Sequence, residues 1–176
     1  GKKLLGGELT LATGGSANSA TTLTAASQAT ALLTEAVARW NALLPTVLDL
    51  DVTKLNVTIA ELGSTIASVA WNSTTSKYDI SLDNNAAGAG WYIDTTLTGT
   101  TPDSEFATTP PNGVDLLTVL MHEVGHVVGI AHPEIGNPTN LMNASLQKGV
   151  RLNPTAEHVR TGLSAQDSLA AGLDSF

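Results

Sequence analysis

Apolar and polar positions alternate in short stretches of this chain, recur every three to four residues in one longer stretch, and give way in another to apolar residues on almost every face. Glu8-Leu9-Thr10-Leu11-Ala12-Thr13 alternates and predicts a short strand, broken by Gly14-Gly15-Ser16. Lys54 to Leu62, Ile66 to Trp71 and Tyr78 to Leu82 predict three more, the last two joined by the polar turn 72–76. Between the first two strands, Ala29, Leu32, Leu33, Ala36, Val37, Trp40 and Leu44 form one helical stripe. It predicts a long helix from Thr22 or Thr24 to Leu44, ended with the help of Pro45. Trp40 on that stripe reads as core. After the loop 83–90 comes a fifth strand, Trp91-Tyr92-Ile93, then a long irregular stretch to Pro110-Pro111. Val114 to Ile130 predicts a helix that is apolar almost all round, hence buried in the middle of the fold. Asp115 suits its positive end. Ser164 is placed to cap a last helix over 165–171, closed by Gly172.

The buried helix carries the candidate chemistry. Three of the four histidines fall in Met121 to His132. His122 and His126 are four apart, so they share a helix face and can reach one cation. Glu123 stands beside the first, where its carboxylate reaches a water on that cation without binding the metal. Gly129 lets the chain leave the helix through a left-handed turn. His132 returns as a third nitrogen ligand. A lone histidine on an apolar helix is ordinarily structural, and a bare HExxH is a weak signal. The longer HExxHxxGxxH is a specific one. Three neutral imidazoles with a fourth position for water make a catalytic zinc arrangement rather than a closed structural one. His158 reads as a surface residue without a metal role.

This stretch resembles the metzincin zinc peptidases, whose extended motif matches His122, Glu123, His126, Gly129 and His132. The resemblance implies a methionine turn beneath the metal, and Met142 in Asn140-Leu141-Met142-Asn143 is placed to supply it. Pro133 is similar to the serralysins. The metal-binding tyrosine of serralysins and astacins is replaced here by Ala144, and the short loop from histidine to methionine is closer to matrixins. Over roughly residues 20 to 160 the chain looks most like matrixin-type domains of large bacterial secreted or surface proteins. The implied fold is α+β: a twisted mixed sheet of about five strands, a long N-terminal helix, the zinc helix, the Met-turn and a C-terminal helix. The implied activity is a zinc endopeptidase acting on protein or peptide, with Glu123 as catalytic base. The alternative is a non-catalytic or self-processing module of a bacterial surface protein, stapled by its metal.

The resemblance also places substrate along the strand at Gly90, Trp91 and Tyr92, as backbone added to a sheet edge. Leu146 and Val150 are then candidates for the pocket on the leaving-group side, with Arg151 and Leu152 beside them. Matrixins bind structural ions in the region of the long loop, one of them zinc held by histidines. No histidine precedes His122 here, so only oxygen ligands remain, and Asp83, Asp94, Asp103 and Glu105 are candidates for calcium. Acids and amides that merely make turns are the competing reading.

Composition narrows the rest. A chain of 176 residues fits one domain spanning 1–176. Residues 1–7, with two lysines and a short apolar run, read as a processing boundary or a cut from a longer precursor, not as a signal peptide. The net charge is −8 and no basic cluster exists, which argues against nucleic acid as a partner. Charged residues are only 14% of the chain, the texture of a secreted or surface domain, and the expected state is a monomer. Without cysteine the chain holds no disulfide, and no thiol of its own can block the metal. No stretch approaches the ~20 apolar residues of a membrane span.

Overall fold

The computed structural model describes residues 1–12, 21–97, 103, 106 and 110–164. Its strands are β1 (Lys2–Leu11), β2 (Leu55–Ala60), β3 (Thr65–Asn72), β4 (Lys77–Asp83), β5 (Trp91–Tyr92), β6 (Val114–Asp115) and β7 (Ser145–Leu146). The helices are α1 (Thr30–Asn41), α2 (Leu116–Val128) and α3 (156–164). Five strands form one mixed sheet in the order β2-β4-β3-β1-β7. β4 pairs parallel with β2 and antiparallel with β3, and β1 pairs antiparallel with β3 and parallel with β7. The α+β architecture with a five-stranded mixed sheet is as the sequence predicts.

Several boundaries differ, each for a physical reason. β1 begins at Lys2, six residues before the alternating stretch, so residues 2–7 belong to the sheet. Side-chain alternation is absent there because backbone pairing, Lys2 opposite Asn72 through Leu5 opposite Val69, holds the segment. The fifth strand is not Trp91–Ile93 but β7. β5 instead forms a separate parallel pair with β6, and Thr21 bridges to Trp91 on its other side.

The first helix is also shorter than its stripe. A 3-10 turn over Ala26–Ala29 precedes α1, and the Gln28 carboxamide accepts from the N–H groups of Thr24 (2.7 Å) and Ala25 (3.0 Å). That side chain does the capping expected of Thr22 or Thr24. After Asn41 the chain makes one last turn, Leu44 donating to the Trp40 carbonyl at 3.0 Å, before Pro45. Ser164 lies inside α3 rather than at a helix start; residues 165–172, where the last helix is expected, are outside the described residues.

One hydrophobic cluster joins the layers. Leu9, Ile66, Val69, Ile80 and Leu82 of the sheet meet Leu32, Leu33 and Trp40 of α1 and Leu116, Leu120 and Val124 of α2. Trp40 is wholly buried, and its indole N–H donates to the Met121 carbonyl at 2.8 Å. That bond ties α1 to the turn of α2 that carries the first histidine. Among the described residues no helix is long and apolar enough to cross a membrane.

Candidate metal centre

α2 is fixed at both ends. Asp115 is its N-cap, accepting from the Thr118 N–H at 3.1 Å and the Thr118 hydroxyl at 2.6 Å. Val114 and Asp115, expected in the helix, form β6 just before it. At the other end Gly129 takes φ 108°, as the motif requires. Ile130 N–H donates to the Gly125 carbonyl at 3.0 Å and Gly129 N–H to that of His126 at 3.1 Å, a Schellman turn. The reversal brings His132 back against the helix.

The three histidines converge. Their Nε2 atoms lie 3.1 Å (His122–His132), 3.1 Å (His122–His126) and 3.2 Å (His126–His132) apart. Zinc–nitrogen bonds of about 2.0–2.1 Å in a tetrahedron give an edge of roughly 3.3 Å, so the triangle fits the ion. The other ring nitrogens settle the tautomers. His122 Nδ1–H donates to the Leu141 carbonyl and His126 Nδ1–H to that of Ile130, each at 2.7 Å. Nε2 is then bare on both rings and points its lone pair inward. Burial, more than the mutual repulsion of the rings, lowers the pKa of His122 to about 3 and of His126 to about 4, and it lowers that of His132. All three are therefore neutral at physiological pH. Among the described residues this is the one group of acids or histidines spaced to hold a metal.

Glu123 is fully buried, and neither of its carboxylate oxygens has a hydrogen-bond partner. Burial pushes its carboxyl well above the usual range. A buried carboxylate without donors costs free energy unless something offsets its charge. A dication at the histidine triangle would do so.

Met142 lies in a tight turn below. Its N–H donates to Asn140 Oδ1 at 2.8 Å, and Asn143 N–H donates to the Asn140 carbonyl at 3.0 Å. A Cβ on Gly125 would stand 2.4 Å from Met142 Sδ and 3.0 Å from Trp40. Gly125 is thus the position where the turn presses on α2, a role the motif spacing does not reveal; a glycine inside a helical pattern was the available signal. His158 is half-buried rather than on the open surface. Its Nε2–H donates to Asn140 Oδ1 at 2.7 Å, and its Nδ1 accepts from the Thr155 N–H at 3.1 Å. A cavity of about 520 Å³ opens beside His132, lined by Pro133, Asn140, Met142, Thr155 and His158 as well.

The candidate ion and substrate residues lie elsewhere. Asp83 accepts from the N–H groups of Leu62 (2.7 Å), Asn85 (3.3 Å) and Ala87 (2.8 Å), the work of a turn. Asp94 and Asp103 converge on Arg151, at 3.0 Å and 2.6 Å. Arg151 also grips Asp115 with two bonds, 2.9 Å and 3.0 Å, and lies 4.4 Å from the centre of the Phe106 ring. The guanidinium, almost fully buried, thus locks the long loop to the cap of the metal helix instead of lining a substrate pocket. Glu105 lies outside the described residues.

The strand at Gly90–Tyr92 is not a free edge. Trp91 exchanges two backbone hydrogen bonds with Thr21 on one side, and the Gly90 carbonyl accepts from Val114 on the other. A peptide could not add at Trp91 without displacing one of them. Leu146 is buried, and with Val150 and Leu152 it lines a small pocket against Thr118.

The family model for matrixins matches residues 17–159. No curated protein and no solved structure matches the chain. The match spans the mixed sheet from β2 onward, the histidine triangle and the methionine turn beneath it, and this chain belongs to the matrixin family.

Proposed function

We propose that the chain is a zinc-dependent endopeptidase in which Glu123 drives the attack of water on a peptide bond. The observation that carries this reading is the unpartnered Glu123 carboxylate beside three converged imidazoles. A metal that only stapled the fold would need its ligands and nothing more. A buried carboxylate that no donor satisfies is a cost without purpose at such a staple.

A zinc ion held by His122, His126 and His132 supplies Lewis acidity and makes water nucleophilic at neutral pH. The Nδ1–H bonds to Leu141 and Ile130 keep two of the ligand rings in the right tautomer and orientation. Glu123 takes the proton of the attacking water on a carboxylate oxygen and gives it to the departing amine.

The test is direct. The purified chain is assayed for zinc content and for hydrolysis of a generic unfolded protein, before and after a chelator and after zinc is restored. Near-stoichiometric zinc with hydrolysis lost and regained is the expected result. Cleavage confined to the chain itself would restrict the activity to self-processing. Zinc without any cleavage would leave the metal a staple and end the peptidase reading.

A further inference from the structure

The metal centre is covered by the N-terminal strand of the same chain. β1 lies between two backbone partners, antiparallel to β3 and parallel to β7. It is not regular between them. Leu5 pairs with Val69 and Leu9 with Ala67, so a step of four residues on β1 matches a step of two on β3. The surplus bulges at residues 6–8, where Gly6 takes φ +65°. There the backbone presses onto the ligands. A Cβ on Gly6 would stand 2.3 Å from the His126 ring, and one on Gly7 would stand 3.0 Å from His132. Past the bulge Leu9 is wholly buried. Thr10 N–H then donates to the Ala144 carbonyl at 3.1 Å and Ala12 N–H to that of Leu146 at 2.8 Å.

Three observations indicate that this strand fills a groove meant for another polypeptide. Backbone hydrogen bonds hold it on both sides across the ligands, which is how an extended peptide adds to a sheet edge. With the strand in place Glu123 is sealed, with no partner for either oxygen, although a general base must reach water and substrate. The region matched by the matrixin model begins at residue 17, after β1 has ended, so the matched sequence does not include this strand.

We propose that Lys2–Leu11 is a displaceable strand that occupies the peptide groove of this chain in competition with substrate and so slows its turnover, with Gly6 and Gly7 over the metal ligands. The inference rests on the peptidase reading above for what the groove is used for. The incoming ligand is an extended polypeptide. It makes the backbone bonds that β1 makes now and places an aliphatic side chain where Leu9 is buried. In this scheme the groove is blocked by glycine backbone, with no thiol on the metal.

The test uses the full chain and one substitution, Gly6→Val, whose side chain cannot fit against His126. Gly63→Val is the control: Gly63 has φ +69° but open space around it, so it carries the same backbone strain without the clash. In zinc-free protein, amide exchange of residues 2–11 should quicken about tenfold or more in Gly6→Val alone, while β3 and β4 stay protected. A dye-labelled synthetic peptide of residues 1–12 should then bind Gly6→Val and neither the wild type nor the control. With zinc added, Gly6→Val should hydrolyse an unfolded protein several-fold faster than the wild type. A freed strand whose groove does not take the peptide overturns the inference. If Gly6→Val does not fold, exchange in the wild type decides: β1 amides opening before those of β3 and β4 support a displaceable strand, and all opening in one step overturns it. Peptide capture without hydrolysis supports the groove and sinks the peptidase reading. Equal hydrolysis by wild type and variant overturns the covering strand and leaves the peptidase reading intact.

Discussion

Met142 Sδ occupies the space that a side chain on Gly125 would need, 2.4 Å from where its Cβ would stand. The metal helix and the methionine turn therefore touch at the one residue of the helix, between Glu123 and His126, that has no side chain. Gly125→Ala gains helix propensity of up to about 1 kcal/mol. Overpacking against Met142 and Trp40 costs typically about 1–3 kcal/mol, so the net expected effect is destabilising. Urea unfolding of the zinc-free chain checks it. Adding Met142→Ala should make the double variant less destabilised than the sum of the two single changes, because the clash is then gone. Strict additivity would mean the two residues do not press on each other.

Arg151 joins the long loop after β5 to the start of the metal helix. Its side chain and those of Asp94 and Asp115 are each no more than 1% exposed. Arg151→Met leaves both carboxylates buried without their cation, and breaking such a pair costs about 3–5 kcal/mol. The expected outcome is a lower melting temperature together with weaker zinc binding, since Asp115 caps the helix that carries His122 and His126. A variant as stable as the parent would show that water or another donor takes the place of the guanidinium.

The parts of this molecule that were legible in the sequence are those set by local spacing. Residues 122, 126, 129 and 132 need only helix geometry and one left-handed turn to converge, and both are written in consecutive residues. Pairing across long separations left weaker marks. Trp91–Tyr92 reads as a strand after the loop 83–90, but its bonds go to Thr21 and Val114, and nothing local names those partners. The lysines and glycines of residues 2–7 do not alternate, because that segment is held by backbone bonds to β3, some 70 residues on. Asp94 and Asp103 read as metal ligands because acids in a long loop look the same whether a cation or an arginine balances them. Arg151 lies 57 and 48 residues away from them in the chain.

Glu123 separates catalysis from metal binding. Glu123→Gln keeps the shape but cannot accept a proton from water. Hydrolysis should fall by about 10²–10⁴-fold, with zinc still bound in stoichiometric amount. A variant that keeps more than a few per cent of its turnover would remove Glu123 from the role of base.

The last prediction concerns the pH dependence of the zinc-free chain. His122 and His126 have folded pKa values of about 3 and about 4, below the ordinary 6.5, first because they are buried. His132 and His158 shift in the same direction, also first through burial. Below about pH 6.5 the unfolded chain takes up protons that the folded chain refuses. The stability these groups contribute is therefore present above that pH and lost as pH falls from 6.5 toward 4. Glu123 acts with the opposite sign. Burial raises its folded pKa, so its contribution is present below about pH 4.5 and lost as pH rises through the folded value. Between pH 4.5 and 6.5 several histidines outweigh one carboxyl, and above 6.5 the histidine contribution no longer changes. Asp79, Asp94 and Asp103, all lowered, lose their contributions only as pH falls below about 4, outside this window. The melting temperature should thus fall as pH drops below 6.5, and it should fall above 6.5 over the range in which the folded Glu123 carboxyl keeps its proton. Glu123→Gln should abolish the alkaline decline and leave the acid one, because Glu123 is the carboxyl whose folded state keeps a proton that the unfolded chain gives up. Thermal melts of both chains after exhaustive chelation, at stepped pH from 4.5 to 8.5, read this out. An alkaline decline that persists in Glu123→Gln would mean that another group carries it.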